Sequence, residues 1–354
     1  MKEGKSVWNW IAIVGCVLAI AVCCTVLRGG DPTDVEQSAV ACAARSERYL
    51  VPVGRTVGIK LFSRGVMVVA LSEIETTDGM VWPARDCGLA VGDIITEINH
   101  TRVNSIEEVE REIGQTEHGA LSIQALRDGK SMEMEAEAAS CQADGSYKLG
   151  AWLRDSMAGI GTVTWYDPDS HVFAALGHGI NDVDTGRLIP VRSGGIMAST
   201  VSAVVKGERA KPGQLHGTFD LTEDVGTLFA NSAGGVFGRT DSTMFDGEPV
   251  PVAGKNEVHT GAAVIRCNVE GNQVEEYTVE LLRIYPELGD STRNLLLQVN
   301  DKRLLERTGG IVQGMSGSPV IQDGKLVGAV THVCVNELMP TKIQIHTYRC
   351  FLTF

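Results

Sequence analysis

Aromatic residues are scarce, with Phe, Trp and Tyr filling only 5% of the 354 positions. A core with so few large flat side chains is built from aliphatic residues on many short elements, and 40 glycines supply the turns between them. Basic stretches are missing too. The formal net charge is -13 and no long Lys/Arg run offsets it, which argues against a nucleic-acid partner. Nine cysteines are scattered without a Cys-x-x-Cys pair or a Cys/His cluster, which argues against a zinc site. Cys16, Cys23 and Cys24 sit in an apolar run as small hydrophobes, and the other six are singletons that require no disulfide framework. Long amphipathic helical patterns are absent from residues 146–336.

What is present begins with a candidate membrane segment. Lys2 and Lys5 precede an apolar run from Ile11 to Leu27, which Arg28-Gly29-Gly30-Asp31-Pro32 ends. With Val7, Trp8 and Trp10 the stretch is long enough to span a bilayer as a helix. Positive charge in front orients the N-terminus to the cytoplasm and the body outside. Residues 1–30 are therefore expected to be an uncleaved signal anchor, followed by a polar, alanine-rich linker over 31–50. A cleaved signal peptide is the alternative, although the small-residue site Ala39-Val40-Ala41 lies far downstream.

From Val51 the pattern changes. Gly54-Arg55-Thr56-Val57-Gly58-Ile59 is a glycine loop entering a strand, and Gly65 to Leu71 is a second apolar strand. Gly88-Leu89-Ala90-Val91-Gly92-Asp93-Ile94-Ile95 follows, then Ile98-Asn99, then a helix start at Ser105-Ile106-Glu107-Glu108 with the form of a capping box. Leu121 to Leu126 and Ser131 to Ala136 fit closing strands around a turn at Asp128-Gly129. Together these resemble a PDZ domain over 51–138. Such a groove holds an extended peptide as an added strand while loop amides meet a carboxylate. The expected peptide-binding residues are Gly54, Arg55, Gly58 and Ile59.

Residues 146–336, within a body expected over 146–354, alternate short apolar runs with Gly, Asp, Asn and Pro, as a β-barrel or sandwich does. Two motifs within them carry chemistry. Gly309-Gly310-Ile311-Val312-Gln313-Gly314-Met315-Ser316-Gly317-Ser318-Pro319 reads as a serine nucleophile on a tight glycine turn. That turn would aim the amides of Gly314, Met315 and Ser316 at one point, as an oxyanion hole requires. It is not the strand-to-helix elbow of α/β-hydrolases, because strands follow it. The second motif is Ala174-Ala175-Leu176-Gly177-His178-Gly179-Ile180, an accessible imidazole between glycines. A serine hydroxyl needs such a base, and the base needs an anion to hold its tautomer. Asp301 is a candidate anion and equally a helix N-cap for the residues after it, while Asp182, Asp184, Asp220 and Asp224 compete. The order His178, Asp301, Ser316 is that of chymotrypsin-type barrels. His171, His216 and His332 read as structural or exposed.

The serine motif, Ala-Leu-Gly-His-Gly-Ile and the later Gly328-Ala329-Val330-Thr331-His332-Val333 resemble the SpoIVB-type serine peptidases of endospore formers, the stage IV sporulation protein B family. The resemblance spans roughly residues 50–336. It implies a trypsin-like β-barrel body with His178, Asp301 and Ser316 as catalytic residues, Gly314 and Ser316 at the oxyanion hole, and Thr331 as an activity-supporting position. It needs no metal or organic cofactor. It also implies secretion into the space between the forespore membranes, anchored or released by cleavage. There the enzyme would cleave itself and a membrane-bound regulator of an intramembrane metalloprotease, triggering processing of the late mother-cell sigma factor. The tail after Asn336 departs from the family pattern, and that departure would leave a barrel edge open. A catalytically inert PDZ scaffold is the alternative function.

Overall fold

The computed structural model describes residues 48–116, 118–208, 211–285, 294–333 and 342–346. The expected anchor, and the linker as far as residue 47, lie outside the described residues. Among the described residues no helix is long and apolar enough to cross a membrane.

Strand β1 (Tyr49–Pro52) leads through Gly54 into β2 (Thr56–Leu71). Sixteen residues is long for a strand, and β2 serves two bodies. Its second half joins a small unit with helix α1 (Pro83–Asp86), β3 (Ile94–Ile98), helix α2 (Ile106–Gly114), β4 (Ala120–Arg127) and β5 (Lys130–Glu137). Ser105 starts α2 by accepting the Glu108 amide at 3.2 Å, and the Glu108 carboxylate accepts the Asn104 amide at 2.7 Å. This is the expected capping box with its return bond one residue early. Val109 and Ile113 of α2 pack on Val66, Val68 and Ile95.

β6 (Ala151–Asp167) runs antiparallel along nearly all of β2, from Ala151 opposite Leu71 to Thr162 opposite Thr56. The ribbon bends midway. Register shifts fall between Trp152 and Leu153 and between Arg154 and Ser156. Nearby, Gly65 sits at φ 80°, where a Cβ would lie 2.6 Å from the Ile95 carbonyl. One end of this ribbon belongs to the small unit. The other end enters a ring with β7 (Val172–Ala175), β8 (Val191–Val205), β9 (Gln214–Ser232) and β10 (Gly235–Arg239). The pairings β6–β7, β7–β10, β10–β9, β9–β8 and β8–β2, with β2–β6, close a six-stranded barrel. Val57, Val163, Phe173, Ile196 and Val236 fill it. The small unit was expected to start at residue 51, but β1 and Thr56–Phe62 pair with barrel strands and belong to the barrel.

A second barrel is closed in the order β11 (Gly261–Cys267), β12 (Glu275–Ile284), β13 (Leu295–Val299), β16 (Lys342–His346), β15 (Lys325–Val333), β14 (Pro319–Gln322). Ile265, Val279, Leu297, Leu304 and Val320 are its buried core, each contributing about 1.5–3 kcal/mol through lost apolar surface. The edge expected to stay open is covered. β16, from the atypical tail, pairs with β13 and β15 and completes the ring. Helix α3 (Lys302–Thr308) follows β13, with Asp301 as N-cap and Gly309 in the left-handed conformation at its end. The loop from Gly309 to Ser318 then crosses to the first barrel.

Candidate active site and peptide groove

His178 comes from the first barrel. β7 ends at Ala175, and Leu176 and Gly177 both take positive φ (70° and 68°), turning the chain out of the barrel wall. The Leu176 amide donates to Thr162 O at 3.1 Å. The imidazole is half-buried, with Nδ1 2.9 Å from Gly179 O. A carbonyl only accepts, so this contact puts a proton on Nδ1, and in the neutral ring Nε2 is then the acceptor nitrogen. That is the tautomer of a general base.

Two braces hold the loop beyond it, and neither was expected. The Asn231 side chain accepts the Ile180 amide at 2.8 Å and donates to Ile180 O and Ile189 O at 2.8 and 2.9 Å. Asp182, fully buried, pairs with Arg154 and accepts from the Asp184 amide at 3.1 Å and the Thr185 amide at 2.8 Å. Burial pushes its carboxyl up, but the hydrogen bonds from Thr185 and Arg154 outweigh that and hold it below the usual carboxylate range.

Ser316 comes from the second barrel. Gly314 and Gly317 on either side both have φ 99°, as the glycine spacing anticipated. Thr162 of β6 clamps the turn from the first barrel. Its amide donates to Ser316 O at 3.0 Å and its hydroxyl to Gly314 O at 2.8 Å. Ser316 Oγ donates to Thr331 O at 3.3 Å, so buried Thr331 touches Ser316 through its backbone. The amides of Gly314 and Ser316 donate to no group among the described residues, whereas the Met315 amide is taken by Val312 O at 3.2 Å. Of the three amides at this turn, the two left to receive an oxyanion are those of Gly314 and Ser316, the expected pair. Ser316 and His178 line one cleft of about 340 Å³.

Asp301 stands elsewhere. Its carboxylate accepts from the Thr278 amide (3.2 Å), the Arg303 amide (2.9 Å) and the Arg303 guanidinium, and none of its contacts reaches His178. Burial raises its pKa, but Arg303 and these amides more than compensate, and the carboxyl is held low. Its N-cap role is thus realised, while the position at His178 Nδ1 is occupied by Gly179 O. Asp184 pairs with Arg154 at 2.7 Å and Asp224 with Lys60 at 2.9 Å. His332, read as structural or exposed, brings its ring centroid to 5.5 Å from that of His178. Its only signal was adjacency to Thr331.

The expected peptide loop is also displaced. Gly54 packs where a Cβ would lie 2.6 Å from Arg266 O, and Gly58 and Ile59 are paired on both sides, with β6 and β8. No strand edge is left there for a peptide, and Ile59 lines the serine cleft instead. Arg55 O accepts the Val163 amide at 2.9 Å, inside the same barrel. The groove beside α2 has other walls. Val109, Glu110 and Ile113 of α2 face Leu149, Trp152 and Leu153 across about 1050 Å³. Gly150, at φ 77°, opens this wall, and Leu149 O and Gly150 O are tied to the Ala84 and Ser72 amides at 2.8 and 2.9 Å. Lys148-Leu149-Gly150 carries the same signal as residues 54–59, a glycine turn entering a strand.

A serine hydroxyl and an imidazole brought together between two β-barrels, with undonated amides beside the serine and a small grooved unit ahead of them, define a serine peptidase carrying a peptide-binding module. Residues 145–342 match the family model described as SpoIVB peptidase S55, and the chain belongs to that family. Residues 65–137 match the PDZ domain. Among solved structures, the PDZ domain of an SdrC-like protein from Listeria monocytogenes is similar at 24% identity, over 25% of this chain and 87% of that one, with a TM-score of 0.21. No curated protein matches.

Proposed function

We propose that this serine peptidase is an endopeptidase of sporulation signalling. It cleaves itself and a membrane-bound regulator of an intramembrane metalloprotease, and so triggers processing of the late mother-cell sigma factor. Membership of the family supports the role. The observation that carries the chemistry is the single cleft that Ser316 and His178 share, beside the free amides of Gly314 and Ser316. The two six-stranded barrels, each giving one of these residues, support reading the body as trypsin-like.

In the proposed reaction Ser316 leaves its bond to Thr331 O and gives its proton to His178 Nε2 as it attacks the scissile carbonyl. The oxyanion is received by the Gly314 and Ser316 amides, and His178 returns the proton to the departing amine. Asp301 serves through α3, whose far end opens into the nucleophile loop. The groove beside α2 takes an extended peptide along the edge of Ala151–Asp155. The N-terminal segment anchors the chain with its body between the forespore membranes, until cleavage releases it.

The test is self-cleavage of residues 31–354 beside a Ser316→Ala twin, followed by intact mass over time, with a fluorophosphonate label on Ser316. Fragments and label from the parent alone are expected. Fragments from both would indicate a contaminating protease. A folded parent that is neither labelled nor cut would favour the inert PDZ scaffold.

A further inference from the structure

The Ser316 cleft has a composition that nothing in the reaction requires. Ile59, Met157, Ile160, Leu176 and Ile180 form its walls, and no Asp, Glu, Lys or Arg lines it among the described residues. A chain of net charge -13 thus presents an uncharged, aliphatic surface at the point of attack. The floor is firm. Ile59 and Leu176 are buried in the core of the first barrel, and Met157 and Ile180 pack against Leu61, Met67 and Ile189.

One wall is also a strand edge. Among the described residues, Ser156–Ile160 of β6 pair with β2 alone, because β7 joins β6 only from Val163 onward. Ser156, Ala158 and Gly159 are exposed. An edge of this kind accepts an added strand through main-chain hydrogen bonds, and alternate side chains of that strand then enter the neighbouring pocket. Thr162, two residues beyond this edge, binds Ser316 O and Gly314 O, so the edge runs directly towards the nucleophile.

Which half of a substrate lies here follows from proton transfer. The leaving amine must take its proton from His178. The cleft is walled by the His178 loop and by β6 of the same barrel, whereas the nucleophile and the oxyanion amides come from the second barrel. We infer that Ser156–Ile160 bind the leaving-group half of an extended polypeptide substrate. An aliphatic side chain within two residues after the scissile bond fills the space between Met157, Ile160, Leu176 and Ile180. This rests on the peptidase reading given above and supplies its substrate class. Charged side chains are excluded there because burying an unpaired charge is costly, and shape selects only mildly among aliphatic ones.

The test maps cleavage sites by mass spectrometry in a proteome-derived peptide mixture, using the full chain purified in detergent. Expected is enrichment of Leu, Ile, Val or Met at one of the two positions after the cut, with Asp, Glu, Lys and Arg depleted at least tenfold. Two variants of equal size and opposite sign control for folding. Met157→Glu should move the preference towards Lys and Arg, and Met157→Lys towards Asp and Glu. A parent that reacts with fluorophosphonate and cuts without this preference overturns the inference alone, as does a preference that both variants leave unchanged. A parent that neither reacts nor cuts overturns the peptidase reading and the inference with it.

Discussion

At Gly317 an added methyl group would lie against Thr162 O and 2.6 Å from the Leu176 amide, on a backbone held at φ 99°. Both neighbours are backbone of the first barrel and neither can move without opening it. Gly317→Ala is expected to cost about 3 kcal/mol or more, combining left-handed strain with the clash. It should also misplace Ser316, so urea unfolding should show a lowered midpoint and fluorophosphonate labelling should fall with it. A variant of parental stability would mean the turn relaxes in a way the packing around it does not suggest. The glycines around Ser316 were legible in the sequence because a positive φ leaves a residue-type signature. Asn231 was not, since an asparagine that ties three backbone groups of a loop about 50 positions away in the chain looks in sequence like any turn residue.

At the scale of elements, the loop from Asn181 to Leu188 is organised by one buried carboxylate. Asp182 has its pKa depressed in the folded protein. Its contribution to stability is therefore present above the unfolded value of about 3.9 and is lost as pH falls through the lower folded value. Asp301 at the cap of α3 adds an acid limb of the same sign. Removing Arg154 leaves the Asp182 carboxylate buried with only neutral partners, the Asp184 and Thr185 amides and the Thr185 hydroxyl. Arg154→Ala is expected to lose about 3 kcal/mol at pH 7 and to flatten the decline of stability below about pH 4. Urea titrations between pH 3 and 7 read both effects, and an unaltered acid limb would assign it to other carboxylates. The α2 cap and the N-cap of α3 were readable, because each is a local pattern of a few residues. The ring of six strands in the first barrel was not, because four of its pairings join strands read only as apolar runs and the other two join such strands to β2.

In the whole molecule the PDZ unit and the first barrel are parts of one ribbon. β2 and β6 each begin in one body and end in the other, and Thr162 at the barrel end of β6 grips the Ser316 turn. The groove beside α2 takes its second wall from Gly150–Leu153, after the closing strand of the PDZ pattern. A piece cut at residue 138 thus lacks a wall and a strand. Residues 65–155 are expected to be more stable than residues 65–138 by roughly 2–4 kcal/mol, from the burial of Leu149, Ala151 and Leu153. Chemical unfolding of the two pieces checks this, and equal midpoints would show that β6 is not integral to the unit. The expected boundaries missed this because a strand shared between bodies carries no composition change where one body ends.

The sequence by itself determined the chemistry and the inventory. The serine turn, the histidine between glycines, the PDZ signals and the serine-motif resemblance are local strings whose residue types are demanded by backbone geometry and proton transfer. Tertiary structure decided which of these meet. It set Ser316 and His178 in one cleft, kept the Asp301 carboxylate with Arg303, drew His332 beside the imidazole, and moved the peptide groove from residues 54–59 to 148–153. Apart from the local Asp301–Arg303 pair, those outcomes depend on pairing between strands far apart in the chain, such as Leu71 with Ala151 and Gly58 with Met197. Such pairing follows from burial summed over both barrels, and no local window of sequence carries it.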